Sequence, residues 1–399
     1  MSDKKERNNR LFLFALIYFV EGAMLTYFSF YNTLFLRTFD LPFDKIGVVA
    51  GIAMIPFVLK IFIGLLSDRV SLFNKGNRKP YILIGLVLQT VAFLLITMIN
   101  PATQFGLYIT LMIAASLGMS TYDTTTDGLS IDTTPEEDRG LVQGLMVGGR
   151  ALSMVIMGYL MGYFSNLGQW DLVFYSVAGL GLLAIFLALP IKENTDRKPE
   201  MQYAKEAFAS FKNVSFILFI CLGLVYPLAL YSSQGMVSAF LNEGLGINLN
   251  IVGMYTSVFG IGTVIGGVVG GPLMKKFGER TSILAAMLIT SAVTYVLAIT
   301  PSAGILWAVV FLFGAAFGYY ETVYLAMGMD FADPRIAAFM FSIIMAFGNL
   351  GIGAGAPLAG VLVENIGFRP MFAIFATIHL LALPIVIAIF RTRKKPVEA

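Results

Sequence analysis

Three aspartates, Asp123, Asp127 and Asp132, interrupt an apolar run within STYDTTTDGLSIDTTPEEDRG, residues 120–140. Glu21 and Glu321 stand in two other apolar runs, and Lys60 and Arg150 in two more. An ionisable side chain at the centre of a bilayer costs at least about 2.5–3.5 kcal/mol. Five such side chains facing lipid are untenable, so they must line a polar cavity or pair with one another. Burial favours the neutral carboxyl and a neighbouring cation favours the ionised one, so an acid held between the two influences can bind and release a proton. Glu21 and Glu321 are the first candidates for that change. Lys60 and Arg150 are suited to an anionic substrate group; the plainer reading makes them static counter-ions of buried acids.

Spacing sets the depth of these groups. Asp123 lies nine residues before Asp132, and Glu321 nine before Asp330, which is about 13 Å along a helix. Glu21, Lys60 and Arg150 lie eight to ten residues inside their own runs, so Glu21, Lys60, Asp123, Arg150 and Glu321 converge near one level from five helices. Asp127, one turn on from Asp123, shares its helix face, whereas Asp132 points away. Asp127 is nearer the rim and is read with Asp132 as a cytoplasmic gate, together with Asp68, Arg69, Arg78 and Arg139. Tyr18, Tyr27, Tyr31, Tyr122 and Tyr320 are candidate linings of a substrate path.

Other chemistries find no footing. The chain has one cysteine, Cys221, and one histidine, His379. Neither belongs to a cluster with metal-ligand spacing, so no metal is expected. No phosphate-binding fingerprint or nucleophile–base constellation occurs, which disfavours an ATP-driven pump and an enzyme. No cofactor is expected, and a net charge of +3 gives no case for nucleic acid.

These residues need helices to hold them. Of 399 residues, 57% are hydrophobic and 13% charged, against about 25% charged in soluble domains. Apolar stretches of the roughly 20 residues needed to cross a bilayer recur along the chain. Twelve are expected: 11–36, 46–67, 81–99, 104–131, 141–166, 171–190, 214–241, 251–273, 281–299, 304–329, 338–363 and 369–390. The first reads as an uncleaved span and not a signal peptide, since it is too long and lacks a small-residue cleavage site. Basic residues crowd one side of the membrane: Lys4, Lys5, Arg7 and Arg10; Arg69 to Lys79; Lys192 to Lys212; Lys275 to Arg280; and Arg391 to Lys395. The other side holds Arg37, Lys45 and Arg369. The asymmetry predicts both termini in the cytoplasm of a cell whose plasma (inner) membrane houses the chain.

A polar linker, 191–213, divides the chain into halves 1–190 and 214–399, and its part from Met201 to Lys212 is read either as a short surface helix or as a solvated linker. The halves repeat one another. TYDTTTDGLSID aligns with YYETVYLAMGMD, setting Asp123 on Glu321 and Asp132 on Asp330. Such repeats characterise secondary transporters, with the substrate site between them at mid-membrane. Small-residue spacing in GIGTVIGGVVGG and GNLGIGAGAP allows close helix approach, either as sliding contacts between halves or as ordinary packing. Pro56, Pro227, Pro357 and Pro384 are expected to kink their helices.

At GLLSDRV…GNRKPY the chain resembles the major facilitator superfamily, over essentially its full length. Gly64, Leu66, Asp68, Arg69, Gly76, Arg78 and Lys79 match that family's loop signature, with SLFNK inserted and Asn77 in place of a basic residue. A second copy matches at Gly271, Leu273, Gly278 and Arg280, with Lys275 where the aspartate would be. The resemblance implies that Asp68 caps the start of helix 11, and that Arg69 or Arg78 pairs with Asp127 or Asp132. Pro56, Phe57 and Lys60, with Asp123 and Asp127, are similar to elements of the folate–biopterin, muropeptide permease and acetyl-CoA transporter branch, whose cargo is chemically diverse.

The expectation is an all-α, twelve-helix membrane protein in two pseudo-symmetric halves. It would move a small organic solute by alternating access, coupled to protons, as a monomer in the lipid bilayer. The alternatives are an uncoupled facilitator or anion exchanger, a lipid flippase, and a non-transporting assembly factor.

Overall fold

Length and composition alone call for helices here, because a backbone inside hydrocarbon must satisfy its own hydrogen bonds. A computed structural model of the chain describes residues 2–72, 76, 78–134, 139–190, 211–300, 303–331 and 337–392. The side chains of 2–6, 68–69, 139–140, 303 and 337–339 are outside that description. Among the described residues there is no strand, and twelve helices are long and apolar enough to span a membrane. They are α1 (Arg7–Arg37), α2 (Phe43–Ser67), α3 (Lys79–Ile96), α4 (Phe105–Thr133), α5 (Leu141–Asn166) and α6 (Trp170–Ala188). After the linker come α7 (Val214–Gly244), α8 (Leu249–Phe277), α9 (Glu279–Ile299), α10 (Gly304–Phe331), α11 (Met340–Ile366) and α12 (Phe368–Thr392). The linker lies outside the described residues as far as 210, and with it most of the surface helix considered for Met201–Lys212.

The helices form two compact units. One comprises Met1–Pro199 with Val237–Ser257, the other Glu200–Met236 with Val258–Ala399. The end of α7 and the start of α8 therefore group with α1–α6. Within the first unit α3 packs on α4 and α6, and α1 on α5 and α6. Within the second, α9 packs on α10 and α12, the same pairing six helices later.

Small residues bring the backbones together. A Cβ on Gly85 would lie 2.6 Å from the carbonyl oxygen of Gly118, so α3 and α4 touch main chain to main chain. The glycine-rich run of α8 does the same inside the second unit, where Gly262 and Gly266 face Phe311 and Ala315 of α10. Gly351 and Gly355 of α11 lie against Leu224 and Leu228 of α7, again in that unit. Both runs thus pack helices within the second unit, the ordinary-packing alternative. Gly278 and Gly367, at φ 80° and 84°, end α8 and α11. Each amide donates to the carbonyl four residues back, at 2.8 and 2.9 Å. The left-handed conformation, cheap for glycine, lets the chain turn there.

Several helices are locally irregular. The helical backbone of α2 is interrupted at Ala53–Met54 and at Leu59, either side of Pro56, and that of α12 at Ala382 before Pro384. It continues through Pro227 in α7 and Pro357 in α11, where the missing N–H costs one bond without ending the helix. The first helix of each half widens into a π turn towards its end, Tyr27–Tyr31 in α1 and Phe240–Gly244 in α7.

Candidate functional site

The site is built where α1, α2, α4 and α5 approach in the first unit. Gly22 has no room for a Cβ, which would lie 2.6 Å from the Arg150 carbonyl oxygen and 2.7 Å from Ser153 Cβ. That contact sets α1 against α5, and Arg150 Nη1 donates to Glu21 Oε1 at 3.2 Å. The interruption at Leu59 makes Lys60 the first residue of a new helical stretch. Its ammonium donates to Asp123 Oδ2 on α4. One turn along α4, Asp127 accepts a hydrogen bond from the Tyr18 hydroxyl of α1. The Arg150 guanidinium lies 5.8 Å from the centre of the Tyr18 ring.

Exposure differs sharply within the pairs. The Glu21 and Asp123 side chains are 4% and 6% exposed, those of Arg150 and Lys60 42% and 31%. A guanidinium and an ammonium that open towards lipid would be untenable. The cations are the exposed members of the two pairs, with their acids behind them. Removing either cation would leave a buried carboxylate uncompensated, which is far worse than losing the pair as a whole.

Four of the five residues expected to converge, Glu21, Lys60, Asp123 and Arg150, are thus brought together. Glu321 lies in the second unit. Its Oε1 accepts hydrogen bonds from Tyr226 and Tyr231 of α7, the latter at 3.0 Å. The repeat aligns Asp123 with Glu321, and their described hydrogen bonds come from an ammonium at the first and from phenols at the second.

At the rim, Arg78 is buried and donates from Nε to Asp132 Oδ2 at 3.2 Å and from Nη1 to Ser67 Oγ at 2.7 Å. Gly128 makes the space, since a Cβ there would overlap the guanidinium. Asp127, grouped by sequence with this rim, instead hydrogen-bonds to Tyr18 and joins the central cluster. Its position on the Asp123 face of α4 decides this over its nearness to the end of that helix. The side chains of Asp68, Arg69 and Arg139 lie outside the described residues.

The tyrosines expected to line a path are packed away. Tyr27, Tyr31, Tyr122 and Tyr320 are each 0% exposed. Tyr27 and Tyr108 share a hydrogen bond of 2.8 Å, Tyr31 donates to the Gly158 carbonyl, and Tyr122 donates to Gln89 at 2.9 Å. Tyr320 stacks on Tyr226 at 4.6 Å. Internal hydrogen bonds hold the hydroxyls of Tyr27, Tyr31 and Tyr122 in the helix contacts, and ring packing holds Tyr320. Tyr18 is buried too, and its hydroxyl donates to Asp127.

Sequence reasoning missed two features. Tyr226 and Tyr231 bracket Pro227 in VYPLALY, and tyrosines flanking a membrane proline were the available signal. Arg37 holds Glu243 with two hydrogen bonds, Nε to Oε1 at 2.8 Å and Nη2 to Oε2 at 2.9 Å. Arg37 is one of few cations on its side of the membrane, and a search for its acid would have found Glu243.

Known proteins share this architecture. The family model described as Major Facilitator Superfamily matches residues 14–233 and 219–399. The Anhydromuropeptide permease of Escherichia coli (strain K12) is 25% identical over 335 residues, covering 79% of this chain and 67% of the permease. Putative transporter AmpG 1 of Rickettsia conorii is 22% identical, covering 97% of this chain and 99% of its own. Among solved structures, a D-xylose-proton symporter aligns with a TM-score of 0.78 at 15% identity, over 97% of this chain and 98% of the symporter.

Proposed function

The chain belongs to the major facilitator superfamily, and from that premise we propose that it moves a small organic solute bearing an anionic group, coupled to protons, by alternating access. As its relatives are permeases and transporters, it is a multi-pass integral membrane transporter and not an enzyme. The observation that carries the finer reading is the pair of half-exposed cations, Lys60 and Arg150, each backed by a buried acid. A carboxylate or phosphate on the solute competes with Asp123 and Glu21 for these cations. A proton taken up by the acids of the cluster offsets the negative charge the solute brings, so proton and anion enter the site together. The basic residues on one side of the sequence support an inner-membrane location with both termini cytoplasmic.

The solute in the relative's name, an anhydromuropeptide, is the first to test. In proteoliposomes with an acidic exterior, it or another anionic solute from a panel of peptides, sugars, folates and nucleotides should accumulate above equilibrium. Uptake should be accompanied by proton entry, and Lys60→Met and Arg150→Met should each abolish it. Equilibration without proton entry would establish the facilitator, or an exchanger if counter-anion is required, in place of the symporter.

A further inference from the structure

Three carboxylates, Glu21, Asp123 and Asp127, share the central cluster with two cations, Lys60 and Arg150. With all five ionised, the set carries one net negative charge. A buried excess charge calls for one further positive species, and none of the described histidine, cysteine and acidic groups is arranged to hold a metal ion. A proton is the species that fits.

The three acids are not equivalent hosts. Asp123 accepts from Lys60, and Glu21 from Arg150. The described hydrogen bond of Asp127 comes from a neutral hydroxyl, that of Tyr18. Facing Asp127 are Tyr18 and Glu21 from α1, Lys60 from α2, Asp123 from its own helix and Arg150 from α5. The two cations already serve the other acids. Glu21 adds a second sign of unfinished charge balance: it is 3% exposed, and its Oε2 has no hydrogen-bond partner. A protonated neighbour relieves the repulsion on that oxygen without breaking either ion pair.

We propose that Asp127 carries the exchangeable proton of the transport cycle and that Tyr18 is the residue positioning it. This rests on the proton-coupled reading above. Cavity water delivers the proton to Oδ2, while Oδ1 keeps the hydrogen bond from Tyr18, whose own proton never leaves the phenol. The proton returns to water from the same oxygen, and Glu21–Arg150 and Lys60–Asp123 stay intact in the substrate-free protein.

Infrared difference spectra of the full chain in lipid, taken between mildly acidic and mildly alkaline buffer, need no known solute. Wild type should lose one protonated-carboxyl C=O band as the buffer turns alkaline. Asp127→Asn should lack the band, Asp127→Glu should keep it, and Tyr18→Phe should keep it at a displaced frequency. Glu321→Gln, in the other unit, should retain it, and Glu21→Gln, which leaves two acids to two cations, should move its loss to more acidic buffer. If Asp127→Asn is folded and the band survives, or if Tyr18→Phe leaves its frequency unmoved, this assignment is overturned and proton coupling stands. A wild type showing neither the band nor solute-driven proton entry overturns both. If Asp127→Asn does not fold, the assignment is judged on Tyr18→Phe, where an unmoved band overturns it.

Discussion

Lys60 and Asp123 show how charge is made tolerable inside the membrane. The acid is buried and the base is the more exposed member, and the integrity of the pair depends on both. Breaking a buried pair by removing one partner costs about 3–5 kcal/mol, while replacing both with apolar residues is often close to neutral. Lys60→Met alone should therefore lower thermal stability markedly, and Lys60→Met combined with Asp123→Leu should recover most of the loss. Transport should be absent from both, measured by uptake in the same preparations. Equal stability of the single and double variants would show that the pair is not held as described.

The helices that position these residues were largely legible before the structure, because a bilayer leaves the chain few options. Twelve apolar runs became twelve helices among the described residues, with ends displaced by a few residues, as where α8 runs on to Phe277 before Gly278 turns the chain. The convergence of Glu21, Lys60, Asp123 and Arg150 was also readable, since depth follows from helical rise. Facing direction was less so. Asp127 looked like a rim residue from its distance to Asp132, and the deciding partner, Tyr18, is 109 residues away. The buried tyrosines misled for a related reason: a phenol suits a cavity wall and a satisfied helix contact equally, and only Gln89, Tyr108 and the Gly158 carbonyl distinguish the two. Close backbone contact makes a sharper forecast. Gly85→Ala places a methyl against the Gly118 carbonyl, and overpacking of this kind costs about 1–3 kcal/mol. Thermal unfolding should show that loss, whereas Gly106→Ala, which would meet nothing within 4 Å, should leave stability close to wild type.

For the protein as a whole, the division into two units carries the largest consequence. Val237–Ser257 groups with α1–α6 although it belongs in sequence to α7 and α8. Arg37 grips Glu243 from α1, and Ser257 Oγ donates to the Val155 carbonyl at 2.7 Å. If alternating access requires this segment to leave the first unit, weakening the grip should favour the released form. Arg37→Glu should raise the reactivity of a cysteine placed at Ser257, in a Cys221→Ser background, towards a membrane-impermeant thiol reagent. Adding Glu243→Arg should return it to the starting rate. An unchanged rate in Arg37→Glu would show that the ion pair does not hold the segment.

The π turn at Tyr27–Tyr31 has a bearing on that grip. One residue beyond the α-helical count turns everything after it by about 100° around the helix axis. Asn32 to Arg37 therefore stand in a different angular phase from Tyr18 and Glu21. The wide turn acts as a clocking device: it lets one helix aim Tyr18 and Glu21 at the central cluster and then, a few turns later, aim a guanidinium at Glu243. Shortening α1 by a single residue there would leave its composition and hydropathy almost untouched while turning Arg37 away from its partner.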